Sequence, residues 1–216
     1  MKYNATNPIL TRLLRMAMAM FAGGIVAAPS VYANSSNNIV LVPPAELPAL
    51  ARQAGEAMFL HDTIDGRTLL YIEQNHGSRL ATFDVTNPVH IKGEATVHLG
   101  ASGPFDFVAP LGDRAELVRF RQSNEDAVLD FPRVKAPNLK AIQGLTLEGI
   151  QPPRDYQFVD TGSSRELNRV FDVKQVRVEL TKTDTGTTFM LTDNGLYVIR
   201  RPAVESIHQV MMITPN

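Results

Sequence analysis

The sequence predicts an all-β fold of antiparallel meanders, propeller-like, with four to five blades or an incomplete propeller; the alternative is a β-sandwich or a twisted antiparallel sheet. Three observations predict it. After residue 60 one arrangement recurs four times: an apolar run, a polar turn, and a second apolar run usually closed by an acid. The copies are TLLYIEQNHGSRLATFDVTNP at 68–88, ELVRFRQSNEDAVLDFPRV at 116–134, YQFVDTGSSRELNRVFDVKQV at 156–176 and TTFMLTDNGLYVIRRPAVE at 187–205. Recurrence at this spacing marks a repeated β-meander. From Met58 onward the apolar period is about two, as in a strand with one buried face. Asp65-Gly66 and Asn194-Gly195, dipeptides suited to tight hairpins, punctuate the runs.

Residues 1–33 read as a secretory signal peptide. Lys2, Arg12 and Arg15 give a positive start free of acids, MAMAMFAGGIVAA at 16–28 is an unbroken apolar run, and Val31-Tyr32-Ala33 supplies the small-residue spacing of a cleavage site. The cut is expected after Ala33. A membrane anchor is the competing reading, but the apolar run is shorter than the roughly 20 residues needed to cross about 30 Å of hydrocarbon. No other stretch is as apolar, so the mature chain is expected to have no transmembrane segment and to be periplasmic or secreted by bacterial export. Removing the segment leaves 18 basic residues against 22 acidic ones, a net charge of about −4 in place of −1. That balance argues against a nucleic-acid surface, which needs a concentrated basic excess. The chain has no cysteine, so its fold carries no disulfide staple and depends on its core.

Residues 34–57 are expected to form a leader. Residues 39–42 favour a short strand stopped by Pro43-Pro44, and AELPALARQAGEA at 45–57 favours a short helix over a structureless linker. The β domain is expected over 58–216. Its first meander has strands on either side of Asp65-Gly66, a turn at Asn75-His76-Gly77, a half-buried strand RLATFDV, and a fourth strand HIKGEATVHL with a bulge or turn at Gly93. The second takes FDFVAP, a turn at Leu111-Gly112-Asp113, ELVRFRQ, a turn from Ser123 to Asp126, AVLDF, and an outer strand near 139–147. The third enters at YQFVD, turns from Asp160 to Ser164 and continues through NRVFDVKQVRVELTKT. Hairpins at Lys182 to Gly186 and at Asn194-Gly195 frame TTFMLTD and LYVIRR. With Asp84, Asp130 and Asp172 as equivalents the steps are 46 and 42 residues, enough for a four-stranded blade, whereas Phe171 to Val198 is only 27. The last two copies are therefore expected to share strands, or one of them to be an ordinary hairpin.

The copy at 68–88 resembles the short repeat of the LVIVD family of bacterial surface and secreted propellers. Tyr71, Gly77, Leu80, Asp84, Val85, Asn87 and Pro88 stand in the places of that repeat: a Tyr-containing strand, a polar-Gly turn, Leu-x-x-x-Asp-Val and an Asn-Pro corner. Leu129-Asp130-Phe131-Pro132 and Phe171-Asp172-Val173 match it in part. The resemblance implies a scaffold or interaction role and no single reaction.

The densest polar cluster lies in FLHDTIDGR. In a blade, His61 and Asp62 would stand where an inner strand ends, and such ends can converge at a channel mouth that holds a divalent cation. Against this, Asp65-Gly66 is a turn that Asp62 can cap. His76, His90 and His98 lack metal-ligand spacing and read as surface residues. Asp84, Asp130 and Asp172 follow strands at matching places. Each is expected to accept hydrogen bonds from backbone N–H groups of the next turn and so fix a corner, with a cation-binding acidic ring as the rival. Ser102, Ser163 and Ser164 belong to no Gly-x-Ser-x-Gly elbow, and no phosphate loop is present. Arg119, Arg121 and Arg177 alternate with apolar residues, which places them on solvent faces where they blunt edges.

The functional expectation is an exported, non-enzymatic protein with a binding or scaffold role towards a protein or envelope component, without a cofactor. The alternative is a divalent-cation-dependent propeller hydrolase or lactonase. It requires at least three of His61, Asp62, Asp84, Asp130 and Asp172 in one concave site. A third reading makes the chain one piece of an oligomeric ring.

Overall fold

Among the described residues period-two patterning becomes strands over most of its length. Of the run NRVFDVKQVRVELTKT expected as β over 168–183, strand is found at 178–182, residues 173 and 175–177 are not strand, and the rest lies outside the described residues. A computed structural model describes residues 32–34, 39–131, 137–141, 156–158, 173, 175–182 and 184–206. Asp172, Ser163, Ser164 and most of the signal segment lie outside the described residues. The strands are β1 (Tyr32–Asn34), β2 (Ile39–Val42), β3 (Gly55–Asp62), β4 (Thr68–Gln74), β5 (Arg79–Asp84), β6 (Lys92–His98), β7 (Phe105–Pro110), β8 (Ala115–Phe120), β9 (Asp126–Asp130), β10 (Asn138–Ala141), β11 (Tyr156–Phe158), β12 (Val178–Lys182), β13 (Thr187–Thr192) and β14 (Gly195–Arg200).

They form three antiparallel sheets. The first has the order β3-β4-β5-β6, the second β10-β9-β8-β7, and the third β1-β2-β14-β13-β12-β11. The first two are simple meanders. In the third, the meander β12-β13-β14 is completed by β2, which comes from the other end of the chain and pairs Val42 with Val198.

The registers show which copies correspond. Asp62↔Thr68, Pro110↔Glu116 and Lys182↔Thr187 each open the hairpin between the first and second strand of a unit. Asp84 and Asp130 end the third strands β5 and β9, and the same place in the third sheet belongs to Arg200 at the end of β14. The copy at 187–205 therefore occupies the third equivalent place, while most of the copy at 156–176 lies outside the described residues. The short step to Val198 needs no shared strand, because β2 supplies the fourth strand of that unit.

The first sheet lies between the other two. On one face, Met58, Leu60, Leu70, Ile72 and Phe83 pack with Leu180, Phe189, Leu191, Leu196 and Val198 of the third sheet. On the other, Phe59, Leu69, Tyr71 and Leu80 pack with Phe105, Val118, Phe120, Leu129 and Phe131 of the second. Every residue of β4 is buried in consequence, which fits the unbroken apolar run LLYI at 69–72. The layer facing the second sheet is aromatic, with ring centroids 4.6 Å apart for Tyr71 and Phe131, 4.7 Å for Phe59 and Phe107, and 5.2 Å for Phe59 and Tyr71. Such separations add to the burial of the rings themselves.

The all-β class and the meanders hold. Each sheet is open, and among the described residues none closes on itself, so packed open sheets fit better than a closed propeller. Two local differences have physical causes, and one expected irregularity is present. The helix expected over 45–57 is instead two 3₁₀ turns, Pro44–Glu46 and Ala49–Arg52, after which β3 begins at Gly55. Pro44 and Pro48 lack the N–H that a continuous helix would need. At the last hairpin Thr192 pairs with Gly195, so the two-residue turn is Asp193-Asn194. Gly195 has φ +108°, and a Cβ there would lie 2.2 Å from the Ala51 carbonyl oxygen. In β6, Thr82 pairs with Ala95 and Phe83 with Gly93, leaving Glu94 as the extra residue of a bulge at the expected place. Among the described residues no helix is long and apolar enough to cross a membrane.

Candidate functional site

The first strands of the outer sheets, β7 and β12, both lie against β3 of the middle one. Their ends bring together the residues singled out in FLHDTIDGR and one that was not. Lys182, the last residue of β12, points at the first sheet. Its Nζ lies 2.6 Å from Thr68 Oγ1, 3.1 Å from Asp184 Oδ2 and 3.8 Å from Asp62 Oδ1. Thr68 in turn donates to Asp62 Oδ1 at 2.5 Å. An ammonium thus stands among two carboxylates and a hydroxyl, where the cation reading would place a metal. Among the described residues no group of three or more His, Cys, Asp or Glu is placed to hold a metal ion.

His61 and Asp62 do not share one site. Neighbouring strand residues leave a sheet on opposite faces. Asp62 turns towards Lys182 of the third sheet. The His61 ring lies among Phe59, Tyr71 and Phe131 in the layer facing the second sheet. Burial lowers the His61 pKa from its ordinary 6.5, against a hydrogen bond to the Asp113 backbone and the charges of Asp62 and Asp113, which raise it. The imidazole is accordingly neutral at neutral pH.

The turn acids divide. Asp84 Oδ1 accepts from the Thr86 backbone N–H at 3.0 Å and from Thr86 Oγ1 at 2.6 Å, the corner-fixing geometry expected of it. Asp130 accepts from Lys140 on the paired strand at 3.0 Å, a cross-strand ion pair. Asp172 is outside the described residues. Asp65 accepts from Arg67 Nε at 2.8 Å within its own turn. Ala33 stands in β1 opposite Val40.

The opposite strand ends carry a second cluster that the pattern of alternation misassigns. Arg121 does not blunt an edge. It reaches from the second sheet to the first, donating to the Glu56 carbonyl at 2.8 Å and to Glu56 Oε2 at 2.9 Å while it also holds Asp106 at 2.7 Å. His76 Nδ1 lies 2.7 Å from Glu56 Oε1. Arg119, by contrast, stays within its sheet and pairs with Asp126 at 2.7 Å.

Two further acids were missed. Glu73 and Glu116 are buried between the first and second sheets. A signal for them exists in the sequence: Leu69-Tyr71-Glu73 and Glu116-Val118-Phe120 put an acid in the apolar phase of an alternating strand. Thr68 offers little chemistry, because it is 2 % exposed and Lys182 donates to it instead of accepting its proton.

The exposed large hydrophobic side chains among the described residues are Ile64, 77 % exposed, Val89, 48 %, and Val204, 36 %. Ile64 is in the β3–β4 turn, Val89 in the β5–β6 connection, and Val204 follows β14 and lies against Gly186. All three therefore belong to the strand ends that carry His61 and Lys182. No family model, curated protein or solved structure matches the chain.

Proposed function

We propose that the chain is an exported, non-enzymatic binding or scaffold protein that holds a protein or envelope component at the strand ends bearing Ile64, Val89 and Val204. The observation that carries this reading is that the exposed large apolar side chains among the described residues all fall at one end of the strands, since exposed apolar residues that share a face mark interaction sites. The likeness of residues 68–88 to LVIVD repeats supports the same role, as does a blade-like reading of the three meanders. The test compares envelope extracts passed over immobilised wild-type protein and over the Ile64→Asp/Val89→Asp variant. A component retained by the first and lost by the second supports the site; equal retention refutes it. Export is checked separately by sequencing the N-terminus of protein recovered from the periplasm, expected to start at Asn34.

One observation favours the hydrolase as a second reading: the His61 imidazole, at the strand ends, is held by a hydrogen bond to the Asp113 backbone, as a positioned general base would be. Metal analysis of the purified protein, together with hydrolysis of a lactone and ester panel by wild type and His61→Gln, decides it. Turnover lost in the variant and dependent on a bound divalent cation supports the enzyme; no turnover in wild type removes it.

A further inference from the structure

The layer between the first and second sheets holds two carboxyl groups with little to satisfy them. Glu73, wholly buried on β4, accepts from the Gly77 backbone N–H through Oε1, while its Oε2 has no partner. Glu116, 3 % exposed on β8, leaves Oε2 without a partner. Thr82 Oγ1, on the same face of the first sheet as Glu73, is likewise buried and unpartnered. The other ionisable groups of the layer are His61 and Tyr71 from the first sheet. At its rims stand Glu56, Asp106, Asp113 and Arg121, of which Arg121 alone brings positive charge towards Glu73. Among the described residues no charged group offsets the burial of Glu116. An ionised carboxylate here is buried from solvent, with Arg121 near Glu73 as the one facing counter-charge among the described residues, and burying it that way costs far more than burying its neutral acid.

We propose that the joint between the first and second sheets is a pH-responsive device, closed while Glu73 and Glu116 keep their protons and opened by their ionisation. Burial supports this in both cases, raising Glu73 to about 7 and Glu116 to about 8 from an ordinary 4.5. In the open form both acids meet water and ionise near their ordinary value. The opening equilibrium therefore grows as pH rises from about 5 and levels off above about 8, by up to about tenfold per pH unit for each carboxyl that ionises only when open. What opening uncovers is the aromatic layer of Phe59, Tyr71, Phe107 and Phe131, an apolar surface hidden in the closed form. Among the described residues Glu73 and Glu116 are the carboxyl groups with a buried, unpartnered oxygen, so the joint between the first and third sheets has no such acid and stays closed.

Hydrogen exchange followed by mass spectrometry on the full chain at pH 5, 6, 7, 8 and 9, corrected for the intrinsic exchange rate, tests this. Peptides covering β8 and β9 should lose protection from pH 5 to pH 8 and change no further at pH 9, while peptides covering β13 and β14 keep theirs. The Glu73→Gln/Glu116→Gln variant should flatten the β8 and β9 profile. Equal corrected protection at pH 5 and pH 8 in wild type overturns the proposal, and so does a pH profile that survives both substitutions. Should the double variant fail to fold, the single variant Glu116→Gln is expected to lose the part of the profile between pH 7 and 8, and retention of that part is equally decisive against it.

Discussion

Lys182 donates to Thr68 Oγ1 at 2.6 Å across the boundary between the third and first sheets, joining residues 114 positions apart. Thr68 is buried and hands the contact on to Asp62 Oδ1 at 2.5 Å. The bond ties the end of β12 to the start of β4, so one ammonium fastens two sheets whose apolar faces do the rest of the packing.

Lys182→Met keeps the length of the side chain and removes its charge and donors. It is expected to lower unfolding stability by about 1–3 kcal/mol, because it leaves a buried hydroxyl and a carboxylate short of a donor. Urea denaturation with a common slope measures it. Asp62→Asn should cost less, since the Asp62 side chain is 64 % exposed and water can replace much of what it loses.

Arg121 bridges two sheets and Arg119 does not. Arg121→Ala is expected to cost about 1–2 kcal/mol, allowing for solvent screening of a side chain that is 32 % exposed. Arg119→Ala breaks only a pair within the second sheet, but it leaves the buried Asp126 carboxylate without that partner, so it too should lower the thermal midpoint. Hydrogen exchange separates the two: peptides covering β3 should lose protection in Arg121→Ala and keep it in Arg119→Ala, and equal changes there would contradict the clamp between sheets.

Glu116 links stability to pH. Unfolded, it ionises at its ordinary 4.5; folded, near 8. Between those values the unfolded chain has released a proton that the folded chain keeps, so stability falls as pH rises, by about 1.4 kcal/mol per pH unit for one group, and is level above about 8. Glu73 acts in the same direction up to about 7. Glu116→Gln should therefore reduce the slope between pH 5 and 8 and gain most over wild type at pH 8 and above. Denaturation midpoints across that range check both the sign and the window.

Gly77 has φ +84°, and a Cβ on it would lie 2.0 Å from the Gly103 carbonyl oxygen. Gly77→Ala meets both a disfavoured backbone conformation and a contact with backbone that cannot rotate aside. A loss of more than about 2 kcal/mol is expected, read as a fall in the urea midpoint.

The β4–β5 hairpin was fully legible, because TLLYIE and RLATFD carry their period on either side of Asn75-His76-Gly77, and so was the corner acid Asp84, whose partner Thr86 is two residues away. Asp130 was legible as a strand-end acid but not in its partner: Lys140 lies on β10, and no local pattern pairs the two. The adjacency of His61 and Asp62 misled for a reason also present in the sequence, since period two sends neighbours to opposite faces.

What the sequence by itself determined is local: the all-β class, most strand limits and the main turns, all set by alternation and turn chemistry over a few residues. Only the tertiary structure decided that the first sheet lies between the other two, that β2 completes the third meander, and that Lys182 takes the place expected for a cation. Those outcomes depend on which apolar face meets which and on contacts between residues up to 114 positions apart, and periodicity along a strand reports that a face is buried without saying what buries it.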